Sequence, residues 1–136
     1  MTEAQAAQLE DIIQEMRDAV AAAELLRYSN ANARLHSLIR TIAAHDTATA
    51  IIERLRAQLV RHQFALSLVP GRPAVSLGQH ERIVAAIVAG DPTAAGAAMR
   101  DHITSVIDAL SDLPPDQASR TWAGTEGAGR AAGARR

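Results

Sequence analysis

The sequence contains no cysteine and no lysine, and only three of its 136 residues are aromatic. The lack of cysteine excludes disulfide frameworks, thiolate catalysis and cysteine-based zinc sites. No run approaches the roughly 18 consecutive apolar residues of a membrane-spanning helix, and the first residues lack the pattern of a secretory signal. We therefore expect a cytoplasmic protein that has no membrane segment.

Excess positive charge is lacking as well. The 14 arginines are balanced by 15 acidic residues, so the formal net charge is -1. Non-specific binding to nucleic acids depends on a strong basic field, which this composition does not supply. The charge balance argues against a protein that binds DNA on its own.

Alanine is the residue type present in excess. It accounts for 30 of the 136 residues, whereas the β-branched and aromatic residues that favour strands are scarce. Alanine is the best helix former. The length is that of one ordinary domain. Composition therefore predicts a single all-α domain.

Apolar residues recur at helical spacing in five stretches. The predicted helices cover about residues 3–22, 25–43, 46–69, 76–89 and 92–110. Capping patterns mark four of their starts: Thr2 with Gln5, Asp46 or Thr47, Ser76, and Asp91 with Pro92. The fifth helix is expected to bury Ala95, Ala98, Met99, Ile103 and Val106.

Residues 111–136 have a different composition from the rest of the chain. They contain half of the glycines and four of the arginines, with almost no apolar periodicity. Such a segment cannot bury enough apolar surface to fold by itself. We predict a helical domain over residues 1–110 and a flexible tail over 111–136.

Three histidines fall on the apolar faces of three different predicted helices. His36 shares its face with Asn32, four residues earlier, while His80 and His102 each lie between apolar residues at helical spacing. Burying several imidazoles without partners costs free energy, and one shared divalent cation satisfies them together. Nitrogen ligands favour a transition metal, zinc or nickel first, over magnesium or calcium. These four residues are the candidate metal ligands.

A metal with an open coordination position can take a small carboxylate. Tyr28 shares the helix face of Asn32 and His36, so it is a candidate contact for such an effector. Arginine clamps carboxylates with paired hydrogen bonds. Three helical arginines are further candidates for binding the effector: Arg54, Arg61 and Arg100.

Two other functions remain open from the residues alone. A three-nitrogen metal site can activate water, as in a metal-dependent hydrolase. However, the sequence has no HExxH motif, and Glu81 directly follows its histidine and so points about 100° away around the helix. Alternatively, the histidines pair with one another in a metal-free structural or interaction bundle. We expect a protein that is not an enzyme.

Four segments carry a family resemblance: Asn32–His36, Gln79–Ile87, Gly90–Ala95 and Met99–Ile103. In this order and spacing they resemble the FCD domain, the carboxy-terminal effector-binding domain of GntR-type transcriptional regulators of the FadR subfamily. The similarity extends from about Thr2 to Leu110. Its most specific part is the fourth predicted helix, the Gly-Asp turn and the fifth helix taken together.

The resemblance implies an antiparallel helical bundle that binds a small organic acid, commonly through a metal held by an acidic residue and three histidines. His36, His80 and His102 stand at the three histidine positions, and Asn32 stands at the position of the acidic residue. An amide oxygen can coordinate a metal but brings no charge. Gln79 replaces a frequent glutamate, a change expected to affect contacts to the ligands more than their number.

The resemblance also carries expectations about partners. Family members bind DNA through an amino-terminal winged helix-turn-helix, followed by a first bundle helix, and residues 1–136 are expected to contain neither. An uncovered core favours self-association. We therefore expect a homodimer whose effect on DNA depends on a module outside these residues.

Overall fold

The computed structural model describes the backbone of residues 1–113 and the side chains of residues 1–55 and 66–113. The described residues form five α-helices: α1 (Glu3–Ala21), α2 (Leu25–Ala43), α3 (Asp46–Ser67), α4 (Arg72–Val88) and α5 (Pro92–Ser111). The short connections between them make successive helices antiparallel. The prediction of an all-α bundle of about five helices is confirmed. The predicted tail lies, from residue 114 onward, outside the described residues.

Two of the predicted helix starts have the expected capping bonds. At α1, the Thr2 hydroxyl accepts from the backbone N–H of Gln5, whose side-chain oxygen accepts from the Thr2 N–H at 2.8 Å. At α5, the Asp91 carboxylate accepts from the Ala94 N–H at 2.9 Å, and Pro92 occupies the first turn. These contacts satisfy N–H groups that have no partner inside a helix.

The other two predicted caps are wrong, although α3 does begin at Asp46 as expected. In α3 the cap is neither Asp46 nor Thr47, because Nδ1 of His45 accepts from the Ala48 N–H at 3.3 Å. Helix α4 begins at Arg72, four residues before Ser76. Proline is tolerated in a first turn, where its missing N–H is not needed, so Pro73 lies inside α4. The positive φ of 77° at the preceding Gly71 lets the chain turn into the helix.

Helix α1 lies at the centre of the hydrophobic core and packs against α2 and α4. The core cluster consists of fully or nearly buried side chains from these three helices: Leu9, Ile12, Ile13, Met16, Ala19, Tyr28, Ala31, Leu35 and Val84. Helix α5 packs mainly on α4. The α1 core thereby fixes α2 and α4 relative to each other, and α4 in turn positions α5.

Helix α5 buries less than the sequence predicts. Of the residues expected to be buried in α5, Ala95, Ala98, Met99 and Val106 are only partly buried, and Ile103 is 46% exposed. His102 is the buried residue of α5. The prediction failed because α5 faces a cavity between α2, α3 and α4, where apolar side chains line open space. Within the described residues, no helix has the length and apolar character needed to cross a membrane.

The core predicts how two leucines of α2 differ. Replacing the fully buried Leu35 by alanine should lower the free energy of unfolding by about 2–4 kcal/mol, because the change leaves a cavity among α1 side chains. The matched change Leu26→Ala, at a side chain that is 68% exposed, should cost less than about 1 kcal/mol. Urea denaturation followed by circular dichroism measures both. Equal losses would contradict the assignment of the core to α1, α2 and α4.

Candidate metal centre

Three imidazole rings meet where α2, α4 and α5 face one another. His36, His80 and His102 each offer one ring nitrogen, and these atoms lie within 4.8 Å of one another. The Nε2 atoms of His36 and His80 are 3.2 Å apart. Nitrogens of a tetrahedral zinc site with bonds of about 2.05 Å are about 3.3 Å apart. The distance between the Nε2 atoms of His36 and His80 therefore matches that of two nitrogens bound to one zinc ion.

Each ring is brought there by the packing of its helix. His80 and His102 are almost completely buried, whereas His36 lies partly exposed at the cavity wall. The ring centroids of His80 and His102 are 4.4 Å apart, and that of His36 lies 5.1 Å and 5.5 Å from them. The structure thus brings together the three histidines that sequence spacing placed on separate helix faces.

Gln79 determines which nitrogen of His102 is free to coordinate. The His102 Nδ1 lies 2.8 Å from the buried Gln79 Oε1. An amide oxygen only accepts, so Nδ1 carries the proton and Nε2 keeps its lone pair. A hydrogen bond that orients a ligating histidine in this way is typical of metal sites. The sequence pointed to Gln79 only as a replacement for glutamate.

The surroundings keep two of the rings neutral. Burial lowers the pKa of His80 from 6.5 to about 2, with further lowering by the neighbouring His36, His102 and Arg72. Burial, followed by the positive charge of Arg72, lowers the pKa of His102 to about 4. Neutral imidazole is the form that binds a metal, so at neutral pH these two ligands do not have to lose a proton first.

Buried polar atoms of the cavity wall that lack hydrogen-bond partners among the described residues include Asn32 Oδ1 and His80 Nδ1. The buried Tyr28 hydroxyl lies against Ser76. Burial raises the pKa of Tyr28 to about 12, so its hydroxyl stays protonated. Leaving such atoms unsatisfied costs free energy unless a ligand or ion supplies contacts. Three imidazole nitrogens and one amide oxygen form a donor set that fits a transition metal.

A cavity of about 650 Å³ opens beside the cluster, between α2, α3, α4 and α5. Asn32, the three histidines and Tyr28 all line it. Arg54 and Arg100, proposed from the sequence as effector contacts, are exposed and are not among the residues that line it. The side chain of Arg61 falls outside the described residues.

The arginine that does reach the cluster is Arg72, which the sequence analysis missed. It lines the cavity at the first turn of α4, and its Nη1 donates to the Ser105 hydroxyl at 2.8 Å. The signal available in the sequence was Gly71 before Pro73, a combination that allows a helix to begin at Arg72 and so places its side chain two turns from His80. A predicted start at Ser76 left Arg72 in a loop.

The lowered pKa values predict acid sensitivity of the metal-free protein. Below pH 6.5 the unfolded chain protonates His80 and His102, whereas the folded protein does not protonate His102 until about pH 4 or His80 until about pH 2. The free energy of unfolding should therefore fall by about 1.4 kcal/mol per pH unit for each histidine between pH 6 and 4. Urea titrations in EDTA measure this slope, and His102→Gln should halve it. A stability that stays constant over this range would contradict neutral, buried rings.

Comparison with known proteins agrees with this geometry. The model of the FCD domain family matches residues 1–105, which contain all five helices except the last six residues of α5. Searches of curated proteins and of solved structures find no match to the chain. The family match covers the helices that carry His36, His80 and His102. The chain belongs to the FCD domain family.

Proposed function

We propose that this chain is the effector-sensing, dimerising domain of a GntR/FadR-type transcriptional regulator and binds a small organic acid at a metal site inside the bundle. FCD domains are regulator domains that bind effectors. The observation that carries the proposal is the convergence of three ring nitrogens within 4.8 Å at the wall of a cavity. In this proposal residues 1–110 form the sensing unit and 111–136 a tail, in a cytoplasmic protein.

The proposed ligands of the metal are His36, His80, His102 and Asn32, and zinc or nickel is the first expectation. A bound divalent ion supplies a Lewis acid that holds a carboxylate oxygen at an open position. The protein's own contribution is to orient the donors, chiefly through the contact of Gln79 with His102. Tyr28 remains a proposed effector contact, because its hydroxyl is buried at the same cavity.

The position of the site supports a sensing role. His36, His80 and His102 come from three helices, so occupation of the site ties α2, α4 and α5 together. A ligand shifts a conformational equilibrium only by its difference in affinity for the two states. A site built from three helices binds its ligand more tightly in the arrangement of the helices that brings the three histidines together. The bundle can thereby bias a DNA-binding module attached to it.

Dimerisation is part of the same proposal. Apolar side chains remain exposed on α2, α3, α4 and α5, among them Leu26, Val75 and Ile107. Self-association through a two-fold interface is a common way to bury such surface. Sedimentation equilibrium at micromolar concentration should show a mass twice that of the chain.

The hydrolase alternative gains little support from the geometry. Glu81, the residue after His80, forms an ion pair with Arg17 at 2.6 Å on the exposed surface. Among the described residues that line the cavity, none is acidic, so they supply no carboxylate as a general base. The metal-free alternative has one specific observation in its favour, the 3.2 Å contact between the Nε2 atoms of His36 and His80. Without a metal, this distance fits a hydrogen bond in which one neutral ring donates its N–H to the nitrogen of the other.

Metal binding separates these functions. Protein purified without a histidine tag should bind one zinc or nickel ion per chain in calorimetry, and His36→Gln should weaken binding by at least about 100-fold because a ligand is lost. His36 is suited to the test because it is the partly exposed member of the cluster. The control His45→Asn removes an exposed histidine while keeping a capping acceptor for α3, and it should bind metal like the wild type.

Each result supports one function. No stoichiometric metal and no thermal shift with zinc or nickel would favour the metal-free bundle. Hydrolysis of an ester that stops with a chelator would favour the enzyme. The regulator proposal expects metal and a thermal shift with an organic acid, without turnover.

The neutral ligand Asn32 leads to a second prediction. Asn32→Asp places a negative charge where a neutral amide oxygen is now buried at the cavity of the three histidines, which should raise metal affinity by about tenfold or more. Calorimetry measures the change, with Asn30→Asp on the exposed surface of the same helix as the control. An unchanged or weaker affinity would argue that residue 32 does not contact the metal.

A further inference from the structure

The guanidinium of Arg72 is a positive charge at the cavity wall that has no anionic partner among the described ion pairs. Its Nη1 is bonded to Ser105, but its Nη2 is buried without a hydrogen-bond partner among the residues that the structure describes. The described ion pairs do not include Arg72. A buried guanidinium nitrogen left unpaired is costly, and a carboxylate satisfies it with a charge-assisted hydrogen bond.

Arg40, the other described arginine that lines the cavity, already has a carboxylate partner. Arg40 lines the cavity farther along α2, and its Nη2 donates to Glu53 of α3 at 2.8 Å. On its outer side Arg72 also borders a shallow groove with Asp101, Asp108 and Asp112, but no described ion pair joins it to them. Beside the histidines, Arg72 is therefore the group that lacks an anionic partner.

Polar and apolar residues are separated along the cavity. Tyr28 and Ala43 of α2 both line it, and the fifteen helical steps from one to the other correspond to about 22 Å of helix. The end near Tyr28 carries the histidines, Asn32, Arg72 and Ser76. The other end, where α2 passes into α3, is lined mainly by apolar side chains: Ile39, Ala43, Ile52 and Leu55.

We propose that Arg72 holds the carboxylate of the effector and that the effector has an elongated apolar body, which lies along Ile39, Ile52 and Leu55. This inference deepens the proposed function and rests on it. The ligand class is thus an alkyl or arylalkyl monocarboxylate, and not a polyhydroxylated acid of similar length. The size of the cavity supports an elongated effector, because about 650 Å³ far exceeds the volume of a two- or three-carbon acid.

A matched set of ligands tests the apolar body. Hexanoate and gluconate are both six-carbon monocarboxylates and differ in hydroxylation, and hexanamide lacks the charge. In calorimetry on the zinc-loaded full chain, hexanoate should bind at least about tenfold more tightly than gluconate, and hexanamide should not bind measurably. Gluconate binding as tightly as hexanoate would overturn the assignment of an apolar body.

Substitutions test the role of Arg72. Arg72→Gln should weaken hexanoate at least about tenfold while changing zinc affinity less than about threefold, because it removes the anion contact and no metal ligand. Arg72→Lys should retain part of the affinity. The control Arg82→Gln changes an exposed arginine of α4 that does not line the cavity, and it should bind hexanoate like the wild type. Circular dichroism confirms that each variant folds.

Two neighbouring isoleucines test the apolar end. Both side chains are exposed, Ile52 at 42% and Ile51 at 55%, but Ile52 lines the cavity and Ile51 is not among the lining residues. Ile52→Gln should weaken hexanoate about fivefold without affecting acetate, and Ile51→Gln should affect neither. If Ile52→Gln instead turns a dimer into a monomer and leaves hexanoate unchanged, a second copy of the chain covers this end and the inference is wrong.

The failures of the two proposals can be distinguished. Hexanoate binding that is unaffected by Arg72→Gln overturns this inference and leaves acid sensing intact. Zinc binding without binding of any of these acids overturns both the sensing of an organic acid and the role of Arg72.

Discussion

The burial of two imidazoles, His80 and His102, beside the partly exposed ring of His36 is the constraint on which the rest of the site depends. His80 and His102 are buried where a positive charge is strongly disfavoured, as their lowered pKa values of about 2 and about 4 show. Neutral rings still need partners for their nitrogens. Gln79 supplies one of them to His102, and the 3.2 Å contact joins His36 to His80. One nitrogen of each ring also lies within 4.8 Å of the others, as a shared metal ion requires.

The fold supports this arrangement through a core that lies elsewhere. Helix α1 supplies five of the nine residues of the core cluster, and by packing against α2 and α4 it holds the helices of His36 and His80 in place. The core cluster contains none of the α3 side chains that the structure describes, and a cavity lies between α3, α2, α4 and α5. Core and cavity thus lie largely in different parts of the bundle, with Tyr28 belonging to both.

Local signals in the sequence were enough for the five helices and for the histidine cluster. Helical spacing places His36, His80 and His102 on the inner faces of their helices. In a small bundle these faces all surround one interior, so the three histidines are expected to lie close together. Local patterns did not predict which arginine lines the cavity. Arg54 and Arg100 are exposed, whereas Arg72 reaches the cavity because α4 begins one turn earlier than the capping pattern of Ser76 indicated. Which arginine faces a cavity depends on packing between helices far apart in sequence, and no local pattern records it.

Charge links the two proposed ligands. In the proposed site a divalent ion is held by three neutral imidazoles and the neutral amide of Asn32, with the cation of Arg72 nearby. Among the described residues that line the cavity, none carries a negative charge. The effector's carboxylate is therefore the group that balances both the metal and Arg72. Each ligand then raises the affinity for the other by the same factor, because coupling between binding free energies is reciprocal. An acidic residue at position 32 would weaken this coupling, since the protein itself would supply the charge.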